Sequence, residues 1–422
     1  MFKFLHLGDI HLGYRQYRLI EREIDFFKAF DSVCISAIEE NIDFVLITGD
    51  FFDQRSISPD VYNQAVFVLK KFKEKNIPVI AIEGNHDFKE VHRMLNIRGS
   101  WYQALANNEL LQFLYLEENE EGFIFKANRS YIDLKIREHN IRIIGSRWYS
   151  VGASDKLKQL SKELEQLETP EDFFRIFMFH GGHECCLSLD RGGIADSDFQ
   201  IFNEKVDYIA LGHIHKFYKI VNFNNKDFIF NAGSLEASNI SEIRKQEMPD
   251  SRGGLLVEVD KNKEIQTRLL IDYEQREFKI FSGISTKDFS DCTEMFNSIK
   301  EKVENYFNLK ETKAIIFIEI ENHNNFNIST EHLNELIQEI KKMGALHVLF
   351  KTNNIENNSS KILNNEEKNK DHLLIEEGVL KEIIEIDPSV QDQDKNKLLS
   401  SMLNLKEIIN KDIETQEILN YI

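Results

Sequence analysis

The sequence predicts an α/β protein with three parts: a main domain over residues 1–275, a small α/β cap over 276–351, and a helical pair at the C-terminal end. Three observations carry this. Short apolar runs alternate with amphipathic stretches, the signature of strands crossing to helices. Several of the runs stop at a glycine or polar residue followed by Asp, Asn or His, and in such sheets ligands bind beyond the carboxyl ends of the strands. Past residue 351 the composition turns polar and Asn-rich before two amphipathic stretches return.

The first run, Phe2, Phe4, Leu5 and Leu7, is apolar and ends at Gly8, which favours a strand over a helix. Asp9 and His11 follow with one residue between them; on extended chain such a pair points the same way. Residues 21–40 place Ile24, Phe27, Phe30, Ile35 and Ile38 among charges, an amphipathic helix. Asp43–Thr48 reads as a buried strand ending at Gly49 and Asp50. Pro59 opens a second helix with Val61, Ala65, Val68, Leu69 and Phe72 on its apolar face, proline being suited to the first turn. Pro78–Ile82 is a third strand, followed by Glu83, Gly84, Asn85, His86 and Asp87. The pattern returns at Phe174–Phe179, which ends at His180 and runs on to His183, and at Val206–Leu211, which ends at Gly212, His213 and His215. Short strands are expected near Phe228–Phe230 and Gly254–Val259.

In the cap, Phe278–Phe281, Ala314–Glu319 and His347–Phe350 read as strands, with helices over 291–308 and 330–343. Residues 352–370 have little to bury and are expected to be a linker. Beyond it, Leu373 to Ile386 and Leu398 to Ile413 carry apolar residues at helical spacing on either side of Pro388, so 371–422 is expected to be a helical segment that docks on a partner surface.

With 422 residues the chain exceeds one ordinary domain. Its net charge of −19 opposes nonspecific affinity for nucleic acid. Part of that charge is concentrated in the tail, where residues 363–422 hold 14 Asp and Glu against 7 Lys. The four cysteines (Cys34, Cys185, Cys186, Cys292) show no CxxC spacing, and only Cys185 and Cys186 are close in sequence. A disulfide framework is not expected, and with no leader-like or membrane-length apolar run the expected compartment is the cytoplasm, or the nucleoid or nucleus.

Collected, the strand ends offer Asp9, His11, Asp50, Asn85, His86, His180, His213 and His215. These are hard and borderline donors without a thiolate, suited to Mn²⁺, Fe or Zn²⁺. The set exceeds one metal's needs and fits two ions sharing a carboxylate, which can bind a phosphate, lower the pKa of a water and stabilise a leaving oxygen. Any one of these residues alone would more ordinarily be a cap or turn residue.

The order Asp-x-His, Gly-Asp-x-x-Asp, Gly-Asn-His-Asp, His, Gly-His-x-His resembles that of the calcineurin-like metallophosphoesterases. Asp9 to Gly13, Ile82 to His86, Ala210 to Lys216 and Gly233 to Glu236 look like the SbcD-type double-strand-break repair nucleases, over roughly the first 240 residues. The resemblance implies a four-layer α/β/β/α sandwich, with Asp9, His11 and His215 holding one metal, Asn85, His180 and His213 the other, and Asp50 bridging. It makes His86 the group that meets the phosphate and protonates the leaving 3′ oxygen, a task suited to imidazole. Some relatives carry a second His three residues after the bridging Asp; Asp53 stands there, and is read as an acid orienting His86. Tyr14 and Arg55 follow metal-binding loops and are candidates for contacting DNA. The function so implied is a Mn²⁺-dependent DNA exonuclease and endonuclease. It would act on single- and double-stranded ends, as a homodimer, with an SMC-like coiled-coil ABC ATPase of the SbcC type. A small-substrate phosphoesterase of the same fold and an inactive tether in a DNA-end complex are the alternatives, and no ligand is missing for the tether to be favoured.

Overall fold

The computed structural model describes residues 1–87, 100–120, 122–149, 152–244, 252–310, 312–323 and 328–354. The proposed helical pair and all but the first three residues of the proposed linker therefore lie outside the described residues. The described residues up to 321 and from 328 to 353 form one compact unit.

The main domain begins with β1 (Phe2–Leu7), α1 (Ile20–Glu39), β2 (Phe44–Thr48), α2 (Pro59–Glu74), β3 (Val79–Ile82), α3 (Trp101–Asn107) and β4 (Gln112–Phe113). A small hairpin, β5 (Glu117–Asn119) and β6 (Gly122–Ile124), leads to β7 (Tyr131–Ile136), β8 (His139–Gly145), α4 (Ala153–Glu163) and β9 (Phe174–His180). Then come α5 (Asp196–Gln200), β10 (Tyr208–Gly212), β11 (Tyr218–Val221), β12 (Asp227–Asn231), α6 (Ile240–Arg244), β13 (Gly254–Val259) and β14 (Ile265–Leu270). Two six-stranded sheets result, in the orders β14-β13-β1-β2-β3-β4 and β11-β12-β10-β9-β8-β7. Strands β1, β2 and β3 are parallel, as are β8, β9 and β10, so the polar ends of each set open on one edge.

Period-two alternation assigns each strand's side chains to two layers. From β1 and β2, Phe2, Phe4, Phe44 and Leu46 join Ile176, Met178, Tyr208 and Phe230 in a core between the sheets. Leu5, Leu7, Val45 and Ile47 turn the other way, against α1 and α2. Phe177, Phe179, Ile209 and Leu211 face α4 and α5. This is the four-layer α/β/β/α sandwich. In its middle Phe4 stacks on Phe44 at 4.8 Å and meets Tyr208 edge-on at 5.3 Å. Truncating Phe4 to alanine is expected to cost about 3–5 kcal/mol, read as a lowered denaturant midpoint. His6 reaches across the same layer, Nε2 to the Leu211 carbonyl and Nδ1 to the Tyr208 hydroxyl, at 3.0 and 2.9 Å. A carbonyl only accepts, so the proton sits on Nε2; burial pushes the pKa down to about 3 and keeps the ring neutral.

Ser58 caps α2 through the Val61 amide, with Pro59 in the first turn, as the sequence indicates. The inward face of α1 differs from the expected one. Phe26, Ala29, Phe30, Val33, Cys34 and Ala37 are buried, while Ile24 and Ile35 are 40% and 41% exposed. The helix is apolar on two sides, and the side with the small residues Ala29 and Ala37 packs on the sheet. Several elements between residues 101 and 163, and β11 and β14, had no sequence-level expectation.

The cap runs β15 (Phe278–Ser285), α7 (Cys292–Leu309), β16 (Ile315–Asn322), α8 (Thr330–Lys342) and β17 (His347–Asn354), forming a three-stranded sheet. Met295, Ile299 and Val303 of α7 and Leu336 and Ile340 of α8 share one core with Ile316, Ile318 and Ile320. Strand β17 continues three residues into the stretch read as linker, because backbone pairing in the sheet does not require apolar side chains. Arg276 joins the cap to α1 with two bonds to Asp25, at 2.8 and 2.6 Å. Arg22, fully buried, pairs with Asp25 and Glu236 and lies over the Phe278 ring.

Candidate metal centre

The polar residues after β1, β2, β3, β9 and β10 meet at one edge of the two sheets. Asp9, His11 and Asp50 adopt φ of 52°, 50° and 49°, and His213 of 87°. Such left-handed backbone is rare outside glycine and clusters where a site over-determines it. Two glycines make the packing possible: a Cβ on Gly49 would strike His180 and Gly84, and one on Gly84 would strike the Asp50 side chain.

Two groups of donors form around Asp50. In the first, Nε2 of His11 and Nε2 of His215 lie 3.1 Å apart, and a carboxylate oxygen of Asp9 is 4.0 Å from His215 Nε2. In the second, Asn85 Oδ1 is 3.0 Å from both His180 Nε2 and His213 Nδ1. Asp50 Oδ2 stands between them, 4.0 Å from His11 Nε2 and 3.4 Å from His180 Nε2. Asp9, His11, Asp50 and His180 are all buried.

The donor set fits divalent metal. Two imidazole nitrogens aimed at each other across 3.1 Å can share one proton at most, whereas a cation between them would satisfy both lone pairs. Two of the other ring nitrogens are committed to the protein. His180 Nδ1 meets the Thr48 carbonyl at 2.8 Å, and His215 Nδ1 meets Glu242 Oε1 at 2.9 Å. A second hydrogen bond of this kind fixes a ligating imidazole's tautomer and orientation. Three sets of side chains, Asp9–His11–His215, Asp9–Asp50–His180 and His11–Asp53–His86, bring their ligand atoms close enough to hold an ion.

Electrostatics in the ion-free protein follow from this crowding. Burial opposes the charge on Asp50, but the imidazoles of His180, His11 and His86 outweigh it and hold the carboxyl well below the usual range. For His180 burial is likewise overcome, by Asp50 and Asp9, and the ring is pushed up to about 9. His213 is driven down to about 4 by burial and by His180. A buried carboxylate–imidazole pair of this type is the protonated counterpart of a site where a cation takes the proton's place.

His86 lies outside the two donor groups around Asp50, although with His11 and Asp53 it makes up the third set. Its amide donates to Asp50 Oδ1 at 2.9 Å, its side chain is 44% exposed, and its ring lies edge-on to His11 at 4.8 Å. Asn85 and His86, neighbours in sequence, therefore face opposite groups. Asp53 departs from its expected role. The main-chain carbonyl of Asp53, not its carboxylate, takes the His86 Nδ1 contact at 2.9 Å. Its carboxylate lies 3.5 Å from His11 Nδ1 and 3.9 Å from His86 Nδ1. Tyr14 is half-buried and donates to the Ser238 carbonyl at 3.2 Å; Arg55 is exposed, and its carbonyl accepts from the Trp101 indole at 3.1 Å. His183 pairs with Asp196 at 3.0 Å and stacks on Phe199, outside the three ligand sets.

Two residues escaped the sequence reading. Asp87, buried, accepts from the amides of Gly84 and Phe51 at 2.8 Å, from Phe52 at 3.2 Å, and from the Tyr102 hydroxyl at 2.6 Å. It ties the loop bearing Asn85 to the loop bearing Asp50; burial, then Asp50, push it up to about 6. Glu242 orients His215, and Arg252 at 3.1 Å supports it in turn. Burial of Glu242 is outweighed by His215, Ser238 and Arg252, leaving it at about 2. Glu242→Gln is expected to weaken metal binding about 10–100-fold, measured by calorimetric titration.

A family model described as calcineurin-like phosphoesterase matches residues 2–217. A DNA double-strand break repair protein Mre11 from Archaeoglobus fulgidus is 32% identical over 247 residues, 58% of this chain and 52% of that protein. The Mre11 of Methanococcus maripaludis is 29% identical over 325 residues, 75% of this chain and 77% of that one. This chain thus aligns with only about half the length of the Archaeoglobus protein. Among solved structures, a dimetal phosphatase from Danio rerio aligns with a TM-score of 0.39 and 12% identity, over 65% of this chain and 99% of that one. Because the family match spans more than half of the 422 residues, the chain belongs to the calcineurin-like phosphoesterase family.

Proposed function

We propose that this protein is a two-metal DNA nuclease that hydrolyses phosphodiester bonds at DNA ends in double-strand-break repair. The observation that supports it most is Asp50 standing between two separate donor groups, with the exposed His86 ring beside them. Similarity to proteins named for DNA double-strand break repair supports DNA as the substrate.

Asp9, His11 and His215 would hold one ion, Asn85, His180 and His213 the other, and Asp50 both; Mn²⁺ is the favoured metal. Such a pair supplies Lewis acidity toward a phosphate and lowers the pKa of water. The chain's own groups do the rest. Glu242 and Thr48 fix the ligand imidazoles. With Nδ1 of His86 held by the Asp53 carbonyl, Nε2 is the nitrogen available to substrate, and it delivers a proton to the departing 3′ oxygen. Tyr14 and Arg55 rim the site on the approach for DNA.

Residues 371–422 would dock on a coiled-coil ABC ATPase of the SbcC type. The protein would work as a homodimer; Ile20 and Ile24 of α1 and Phe67 of α2 are exposed apolar side chains that a second copy could cover. Among the described residues no helix is long and apolar enough to cross a membrane, and the proposed substrate places the enzyme with cellular DNA. A small-substrate phosphoesterase is the second reading, favoured by the net charge of −19.

Labelled single- and double-stranded DNA incubated with the protein and Mn²⁺, beside a generic phosphomonoester, separates the two. DNA cleavage supports the nuclease; phosphomonoester turnover with intact DNA would replace it with the small-substrate enzyme.

A further inference from the structure

The loop after β9 carries a feature that the metal centre does not use. Cys185 and Cys186 are adjacent, both exposed and both free, with their sulfurs 3.3 Å apart. The turn that presents them is held from several sides. His183 accepts the Cys185 amide on Nδ1 at 3.1 Å, and its carbonyl accepts the amides of Cys186 and Leu187 at 3.0 Å. The Glu184 amide bonds to the Ile194 carbonyl at 2.8 Å, and the His183 ring is fixed by Asp196 and Phe199. Two sulfurs side by side on a braced turn are a preorganised chelate.

We infer that Cys185 and Cys186 form a dithiol site for a trivalent, thiophilic oxyacid of the arsenical class. Three considerations select this chemistry. Adjacent Cα atoms lie about 3.8 Å apart, below the ~4.4 Å at which unstrained disulfides begin, so closing a direct S–S bond is disfavoured and bridging by a third atom is not. An atom bound to both sulfurs at about 2.3 Å spans about 3.3 Å if its bonds are near right angles and about 3.8 Å if they are tetrahedral. The observed 3.3 Å matches the pyramidal geometry of a trivalent p-block centre over tetrahedral Zn²⁺. Finally, condensation with an oxyacid consumes two thiols and releases water, whereas closing a disulfide needs an oxidant.

The reaction balances without a redox partner. With phenylarsine oxide, two S–As bonds form, the arsenic–oxygen bond is broken, and the oxygen leaves as one water carrying both thiol protons. Arsenic stays trivalent throughout. The inference is independent of the proposed nuclease activity.

The test is intact-mass analysis of the full chain treated with one equivalent of phenylarsine oxide. The expected result is a single adduct, heavier by the reagent less one water, stable to excess monothiol and removed by a dithiol such as dimercaptopropanol. It should be lost in Cys185→Ser and in Cys186→Ser and retained in Cys34→Ser and Cys292→Ser. In the wild-type protein, pretreatment should also protect both adjacent cysteines from iodoacetamide. Failure of the native protein to form the adduct, or its persistence in either adjacent variant, would overturn the assignment. Tight 1:1 binding of Zn²⁺ at this pair with no arsenical adduct would overturn the pyramidal class.

Discussion

Asp50→Ala is expected to abolish phosphodiester hydrolysis, by at least about 10³-fold, and to reduce bound Mn²⁺ from two ions per chain to one or none. Asp50 is the only residue within about 4 Å of ligand nitrogens from both groups in the described ion contacts, His11 on one side and His180 on the other. Its other oxygen holds the His86 amide, so the same substitution also loosens the proton donor. The ion-free protein should nevertheless stay folded. Removing Asp50 takes away the partner of His180, but it also relieves part of the upward push on Asp87, and the apolar layers that hold the sheets are untouched. Circular dichroism with metal analysis on the same sample checks both halves. Full activity in a protein lacking one metal would remove Asp50 from the bridging position.

His86→Ser should lower DNA cleavage by about 10²–10⁴-fold, the range for a general acid, while both ions remain. The ring is 44% exposed, belongs to neither donor group around Asp50, and is anchored by a single carbonyl. The diagnostic is the leaving group. A 3′ oxygen is a poor leaving group and needs the proton; p-nitrophenolate departs without it. The variant should therefore lose far more activity on DNA than on a p-nitrophenyl phosphodiester. Equal losses on both substrates would mean that His86 only shapes the site.

The expected donors are legible in sequence because each directly follows an apolar run that could only be a buried strand. Parallel order then brings their ends to one edge. Residues 9, 11, 50, 85, 180, 213 and 215 meet there for that reason. What sequence does not carry is the support behind them. Glu242 sits 27 positions after His215 on a five-residue helix, and nothing local announces their contact. Asp87 is visible in the Gly-Asn-His-Asp run, yet its work is to gather amides from two loops. Asp53 is harder to read, because its carboxylate lies nearer His11 while its carbonyl takes the His86 ring. The face of α1 turned on side-chain size: Ala29 and Ala37 permit close approach where Ile24 and Ile35 do not. The alternation in Tyr131–Ile136 is a sheet signal, but its half-exposed pattern at the sheet's edge is weaker than that of the central strands.

The most direct test of the two-metal centre is electron paramagnetic resonance of the protein titrated with Mn²⁺. Two ions joined through Asp50 should bind at two per chain and show an exchange-coupled multiline spectrum, which collapses to isolated-ion signals in Asp50→Ala. A single uncoupled ion per wild-type chain, or two that never couple, would contradict the account.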